Sequence, residues 1–504
     1  MLKMFGGGGS DHPLADPREA KRMLDALPAQ EAKALEELAS LHETVSAADL
    51  KADVRIQRLL AIDEAAQARV RKLTREVLLP APQTSRFQDN VNWTRLHEYW
   101  RHAGLAFARC IDSFLQGAKG AEAAKTVLPL TVARALRCLG QQIKWQHVRY
   151  APADPAIWGV LNKIYAFAEL RGITDARVNL YPALGIESTP RLEFLKVSMF
   201  GAASPDSLLP LEVEIAERVI GDLAPSFTLA AQPERELLYW TNLALATAPL
   251  RSLREPKPAP GLRFFGPGSA VAALGALIGR MEKTREVPAG LNLGGNYDPE
   301  AVLSTLLHLA VYWDREPPER RHLRHNVKSR LTVTHGFNGV LEALGSNDGG
   351  GVLDFNPAAA ESWTVENVSA GGFGALAKQV KNDWLKVGAL LAMQPDGGAN
   401  WVVGAVRRIT RLSKDEARIG IETLSRTPAV SSFSAGAEAQ PGVLLAATPE
   451  TGETSIALRA GVFTRGRNLE AAVDGRNHVY MPQTVDERGD DYEIARFREM
   501  IRES

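Results

Sequence analysis

The sequence predicts a multidomain α+β protein, with an all-α helical bundle or array first and strand-rich segments after it. Two observations carry this. Up to about residue 313 the apolar residues recur with the 3.6-residue period of helices, in long stretches separated by Gly and Pro breakers. Beyond Val327 they come in short runs rich in Val, Ile and Trp, divided by Gly-containing turns. At 504 residues, with 45% hydrophobic and 23% charged, the chain has the composition of a soluble globular protein. Its length suits roughly two to four domains.

Composition also narrows the function. Lys+Arg 59 and Asp+Glu 59 cancel to a formal net charge of 0, so no overall field draws in nucleic acid or an anionic membrane, and neither is expected as a partner. That balance sets off one local cluster, Arg315, Arg320, Arg321, Arg324, Lys328 and Arg330, against Glu316 and Glu319. Cys110 and Cys138 lie in helical stretches and read as buried reduced thiols, which fits a cytoplasmic protein. No apolar run has signal-peptide character, and the most apolar helix, Ser269 to Gly279, is far too short to span a bilayer.

In chain order, residues 1–15 read as a flexible tail; Gly6 to Ser10 is a Gly-Ser stretch, natural or an added linker. Residues 16–172 form a helical domain. Asp16-Pro17 starts its first helix as N-cap and first-turn proline. A helix ending at Leu78 carries Ile56, Leu59, Val70, Leu73 and Val77 on one stripe, and Pro80 stops it. Trp93, Trp100, Phe107, Ile111 and Phe114 mark the next long helix, and Asp154-Pro155 caps one with Trp158, Leu161 and Tyr165. That last spacing resembles a tetratricopeptide helix, but no repeat period accompanies it and core packing is the reading kept. Residues 173–313 form a mixed, mainly helical domain. Thr189 to Phe200 and Leu211 to Ile220 look helical, Pro225 to Leu229 and Leu237 to Leu243 look like short strands, and Asp298 caps a helix ending at Trp313. Strand candidates follow at Leu331–Val333, Trp363–Val365, Leu390–Met393, Trp401–Ile409 and Ala417–Glu422. Residues 431–504 hold further short strands at Val443–Ala446, Ser455–Arg459 and Asn477–Met481, then a terminal helix from Asp490. Whether this tail is a second barrel or an extension of the preceding region is left open.

Two motifs stand out. Arg320 and Arg324, four apart, lie on a cationic arm entering the first strand; Asn367, Ser369 and Gly372 form a polar turn between apolar neighbours. Arginine pairs bidentately with phosphate or with guanine O6 and N7 and stacks on bases, while Asn and Ser add donors and acceptors and Gly lets backbone come close. Together the motifs resemble Arg-x-x-x-Arg and Asp/Asn-x-Ser-x-x-Gly of PilZ domains, small antiparallel β-barrels that bind cyclic di-GMP. Trp401-Val-Val-Gly-Ala-Val-Arg-Arg408 and Ile419-Gly-Ile-Glu422 also look like later PilZ strands. The resemblance covers residues 314–430. It implies a bacterial second-messenger receptor without enzymatic activity, cyclic di-GMP as ligand, no further cofactor, and Arg320, Arg321, Arg324, Asn367, Ser369 and Gly372 as ligand-binding residues. A protein partner is expected through the helical region. The alternative is a PilZ-like interaction scaffold that no longer binds nucleotide.

This sequence departs from the pattern in places. Many PilZ arms read Arg-Arg-x-x-x-Arg, whereas here Arg320-Arg321-x-x-Arg324 keeps the spacing only from Arg320. Position 367 is Asn where Asp is more usual, and Thr334 to Ser362 is a long, Gly- and Asn-rich connection that reads as a lid, a partner-binding loop or a plain insertion. No catalytic or metal site is expected. His97 and His102 resemble a zinc-protease pair but are one residue too far apart, so on a helix they point about 140° from each other.

Overall fold

A computed structural model of the chain describes residues 13–81, 84–254, 256–316, 323–345, 360–378, 384–398, 400–434, 439–448, 452–473 and 476–501. The chain divides into two units, Met1–Pro318 and Glu319–Ser504.

The first unit is helical, as its periodicity dictates. It runs α1 (Pro17–Asp25), α2 (Glu31–Ala47), α3 (Ala52–Leu78), α4 (Arg86–Leu115), α5 (Ala121–Ala124), α6 (Leu128–His147) and α7 (Pro155–Leu170). A hairpin of β1 (Val178–Tyr181) and β2 (Ile186–Ser188) precedes α8 (Pro190–Ala202) and α9 (Pro210–Leu223). A small sheet follows, made of β3 (Thr228–Ala230), β4 (Tyr239–Asn242), β5 (Leu250–Arg251) and β6 (Leu262–Gly266), in the order β3-β6-β4-β5. Helices α10 (Ala270–Thr284) and α11 (Pro299–Trp313) end the unit. The expected caps are formed: Asp16 accepts from Arg18 N, Asp154 from Ala156 N and Asp298 from Ala301 N, each stabilising its helix by about 1 kcal/mol. Trp158, Leu161 and Tyr165 are core residues.

A buried carboxylate ties this unit together. Asp63 of α3 accepts from Tyr99 Oη of α4 (2.8 Å), Tyr181 Oη of β1 (3.0 Å) and Arg134 Nη1 of α6 (2.8 Å). Gln67 Nε2 reaches the same carboxylate at 3.0 Å. A fully buried charge is tolerable only when paired and hydrogen-bonded in this way, so four elements are held in one register.

The second unit holds two closed barrels. The first comprises β7 (His325–His335), β8 (Glu361–Ser369), β9 (Gly372–Lys378), β10 (Leu390–Pro395), β11 (Val402–Arg411) and β12 (Glu416–Ser425), in the order β10-β11-β12-β9-β8-β7. Alternation of the strands sends Leu331, Val333, Trp363, Val365, Ala375, Met393, Ile419 and Ile421 inward. One end of the barrel is filled by parallel rings. Trp384 stacks on His335 at 4.0 Å and on Trp363 at 6.0 Å, and both indoles donate to Glu361. Burial pulls the His335 pKa below its usual value.

The second barrel comprises β13 (Ala429–Ser434), β14 (Ala439–Thr448), β15 (Glu453–Arg459), β16 (Leu469–Val473), β17 (Arg476–Arg488) and β18 (Tyr492–Ile501), in the order β13-β14-β15-β18-β17-β16. The C-terminal region is therefore a barrel, and the terminal helix expected from Asp490 is absent: that stretch is β18, paired with both β15 and β17. The charged residues Glu493, Arg496, Arg498 and Glu499 give a helix-like pattern. Pairing along both edges overrides it, because without β18 the barrel stays open.

The long connection after β7 begins with α12 (Gly336–Gly345). Its Phe337, Val340, Ala343 and Leu344 pack on Leu390, Ala392, Trp401 and Val403 of the first barrel and on Val443, Leu445, Tyr492 and Ile494 of the second. Arg407 of β11 is clamped bidentately by Glu487 of β17 (2.8 and 2.6 Å), and Tyr492 Oη donates to Gly388 O (2.7 Å). The two barrels thus share one apolar layer.

Candidate functional site

The β8–β9 hairpin is the end of the first barrel opposite its aromatic plug. Ser369 pairs with Gly372 across Ala370 and Gly371. The polar motif expected as a turn lies mostly at strand ends: Asn367 and Ser369 close β8, and Gly372 opens β9. Gly372 is dictated by space. Its φ is +157°, and a Cβ there would stand 2.0 Å from the Ile421 carbonyl oxygen on the neighbouring β12. No side chain fits that approach.

Asn367 is aimed by two irregularities. The β7–β8 register shifts between Asn326 and Ser329, and the β8–β9 register shifts between Val365 and Asn367. The amide comes to lie over Gly374, where an added Cβ would be 2.6 Å from both Oδ1 and Nδ2. Gly374 pairs with Gly420 of β12, between the buried Phe373–Ile421 and Ala375–Ile419 pairs. Both glycines therefore belong to the outer face, where the Asn367 amide covers Gly374 and Gly420 is half-buried. The Oδ1 of Asn367 is buried and accepts no hydrogen bond among the described residues.

The arginine arm enters at the same place. His325, the first residue of β7, pairs with Val368, and Asn326 pairs with Asn367. One step further along that register, exposed Arg324 falls opposite Ser369. Arg320 and Arg321 lie outside the described residues. Arg324, Asn367, Ser369 and Gly372 are thus brought together by the pairing of β7, β8 and β9.

Two contacts brace the hairpin from β12. Thr423 N donates to Gly371 O at 3.0 Å. Arg426, one residue past β12, donates through Nη2 to Ser369 O (3.2 Å) and Ala370 O (2.9 Å). Arg418 pairs with Glu366 at 2.9 Å on the exposed outer face, a contact that stabilises by less than about 1 kcal/mol. Neither Gly374 nor Arg426 was expected from the sequence. Gly374 was legible, since Gly372-Phe-Gly374 places two glycines on one face of a strand. Arg426 gave no signal, because only barrel closure sets β12 beside the hairpin. Elsewhere, no cluster of three or more His, Cys, Asp or Glu side chains suited to a metal occurs among the described residues. No described helix is long and apolar enough to cross a membrane.

Residues 356–429 match the family model described as the middle PilZ domain of the cyclic-di-GMP receptor FimW. The chain carries a PilZ domain. Residues 18–234 match the model for the N-terminal domain of that same receptor. No curated protein matches the chain. Within the PilZ domain the matched span includes Asn367, Ser369 and Gly372 and the strands β8 to β12, while the arm and β7 precede it.

Proposed function

We propose that this chain is a cyclic di-GMP receptor that binds and relays the signal without catalysis. The nucleotide lies on the outer face of the PilZ barrel, between the arginine arm and the β8–β9 hairpin. The observation that supports the reading most is the β7–β8 register, in which His325 pairs with Val368 and Asn326 with Asn367, so that Arg324 leads into the strand beside the motif. Arg320, Arg321 and Arg324 supply charge-assisted bonds to the two phosphates or to guanine edges. Asn367 and Ser369 offer acceptors and donors from the barrel, Gly372 lets β9 approach β12 closely, and Gly374 makes room for the Asn367 amide. The match to a receptor of this name in both parts of the chain supports the same conclusion.

The relay follows from connectivity. The arm continues directly from α11 through Asp314 to Pro318, so an arm that folds onto ligand changes the constraints on the helical unit. The ligand shifts that equilibrium only by its differential affinity for the two arrangements, about 1–3 kcal/mol in typical cases. A protein partner reads the outcome from the helical unit. Calorimetric titration of the full chain with cyclic di-GMP is the test. Saturable binding with GTP and cyclic GMP as poor competitors is expected, and the absence of heat or thermal shift at tens of micromolar ligand removes the receptor reading in favour of a scaffold. Hydrogen exchange tests the relay separately: protection restricted to 323–324 and 367–372, with α11 unchanged, shows that nucleotide is held but no signal travels through this junction.

A further inference from the structure

The helical unit holds a cavity of about 170 Å³ between α1, α2 and α3. Its walls are apolar: Leu14 and Ile62 are buried, and Leu24 of α1 and Leu41 of α2 are half-buried beside them. Lys21 and Leu24, three apart on α1, and Arg58 and Ile62, four apart on α3, each fall on one face of their helix, so both faces border the same space. An apolar cavity of roughly 150 Å³ takes up benzene, so this one admits a single ring or a short alkyl chain.

Arg58 gives this apolar space its chemistry. The residue is only 9% exposed and lines the cavity. Its Nε donates to Leu14 O (2.8 Å) and its Nη2 to Ala15 O (3.2 Å), both in the 3-10 turn Pro13–Ala15 that precedes α1. Nη1 makes no hydrogen bond among the described residues, and no carboxylate there pairs with the side chain. Two neutral carbonyls fix the guanidinium in place without balancing its charge, and a buried cation is costly unless an anion accompanies it. None of the residues lining the cavity is acidic, whereas exposed Lys21 adds a second cation. We propose that this cavity binds a small amphiphilic anion: an organic acid whose compact apolar body lies between α1, α2 and α3 and whose carboxylate pairs with Arg58 and Lys21. An inorganic anion makes no use of the apolar walls, and a neutral hydrocarbon leaves the buried cation unbalanced. A cyclic dinucleotide is too large for the space, so this site is independent of the one proposed on the PilZ barrel. It gives the helical unit a ligand of its own, one that joins α1 to α2 and α3.

The test titrates the full chain with phenylacetate and hexanoate, and with phenylacetamide and hexanamide, which keep the apolar body and remove the charge; binding is followed by ligand-observed NMR. The acids are expected to bind with Kd of about 0.1–1 mM, as suits ligands of this size. The amides are expected to bind about 10- to 150-fold more weakly, which is the loss of one charge-assisted hydrogen bond. Lys21→Glu is expected to weaken acid binding by about 2- to 10-fold. Ala61→Trp, at an exposed position that lines the cavity, is expected to abolish it by filling the space. Arg58→Met is expected to make acid and amide bind alike. If Arg58→Met unfolds the turn that Arg58 holds, seen as a lower melting temperature, the amides and the two exposed variants decide the matter. Equal affinity of acid and amide for the wild-type chain overturns the proposal, and so does the absence of acid binding at about 10 mM. Acid binding that is unchanged in Ala61→Trp also overturns it, because the ligand then lies elsewhere.

Discussion

Replacing Gly374 with alanine separates the placement of Asn367 from the folding of the barrel. An alanine Cβ at 374 would stand 2.6 Å from Asn367 Oδ1 and Nδ2 and 2.8 Å from Cγ. The obstructing atoms are the end of a side chain, so the amide swings away while the strands stay paired. At Gly372, in contrast, the obstruction is the Ile421 backbone at 2.0 Å, which cannot move without breaking the β9–β12 ladder. Displacing Asn367 removes one or two ligand hydrogen bonds, each contributing about 0.5–1.5 kcal/mol. A combined loss of about 1–2 kcal/mol corresponds to roughly 5- to 30-fold weaker binding. The assay is calorimetric titration of the full-length Gly374→Ala protein with cyclic di-GMP, paired with thermal unfolding without ligand. Asn367→Ala should cost a similar amount, and the double variant should add little, because both remove the same contact. Wild-type affinity in Gly374→Ala beside a clear loss in Asn367→Ala would refute the argument that this glycine holds the amide in place.

Three further outcomes are expected. Gly372→Ala should destabilise the second unit by about 1–3 kcal/mol through overpacking against β12, seen as a lower melting temperature before any ligand is added. Arg324→Ala should leave stability unchanged and weaken cyclic di-GMP binding by about 10- to 150-fold, and binding to the wild-type chain should also weaken as salt rises. His42, fully buried between the rings of Tyr99 and Phe107 with no hydrogen-bond partner among the described residues, has its pKa pulled by burial from 6.5 to about 4. Because the folded value is depressed, the unfolded chain binds the extra proton first; stability of the helical unit should be full above about pH 6.5 and decline toward pH 4, and chemical denaturation of His42→Leu across that range should show a shallower decline.

Much of this protein is written locally. The 3.6-residue period, the Asp-Pro starts at 16 and 154 and the breakers at Pro80 and Gly117 set the helices, since helix bonds run only four residues along the chain. The polar motif at 367–372 and the cationic arm were also plain in the residues, and their chemistry pointed to a nucleotide. What the sequence by itself did not determine is what depends on distant strands meeting. The stretch after Asp490 carries a helical charge pattern, yet two partner strands claim it. Helix α12 lay inside a Gly- and Asn-rich connection and is fixed by an apolar layer drawn from both barrels. Gly374 acquires its role only because a bulge turns Asn367 over it, and Arg426 because closure carries the end of β12 to the hairpin. Register and closure are properties of pairs of strands far apart in the chain, so no local pattern encodes them, and it is they that assemble the outer face that carries the candidate site.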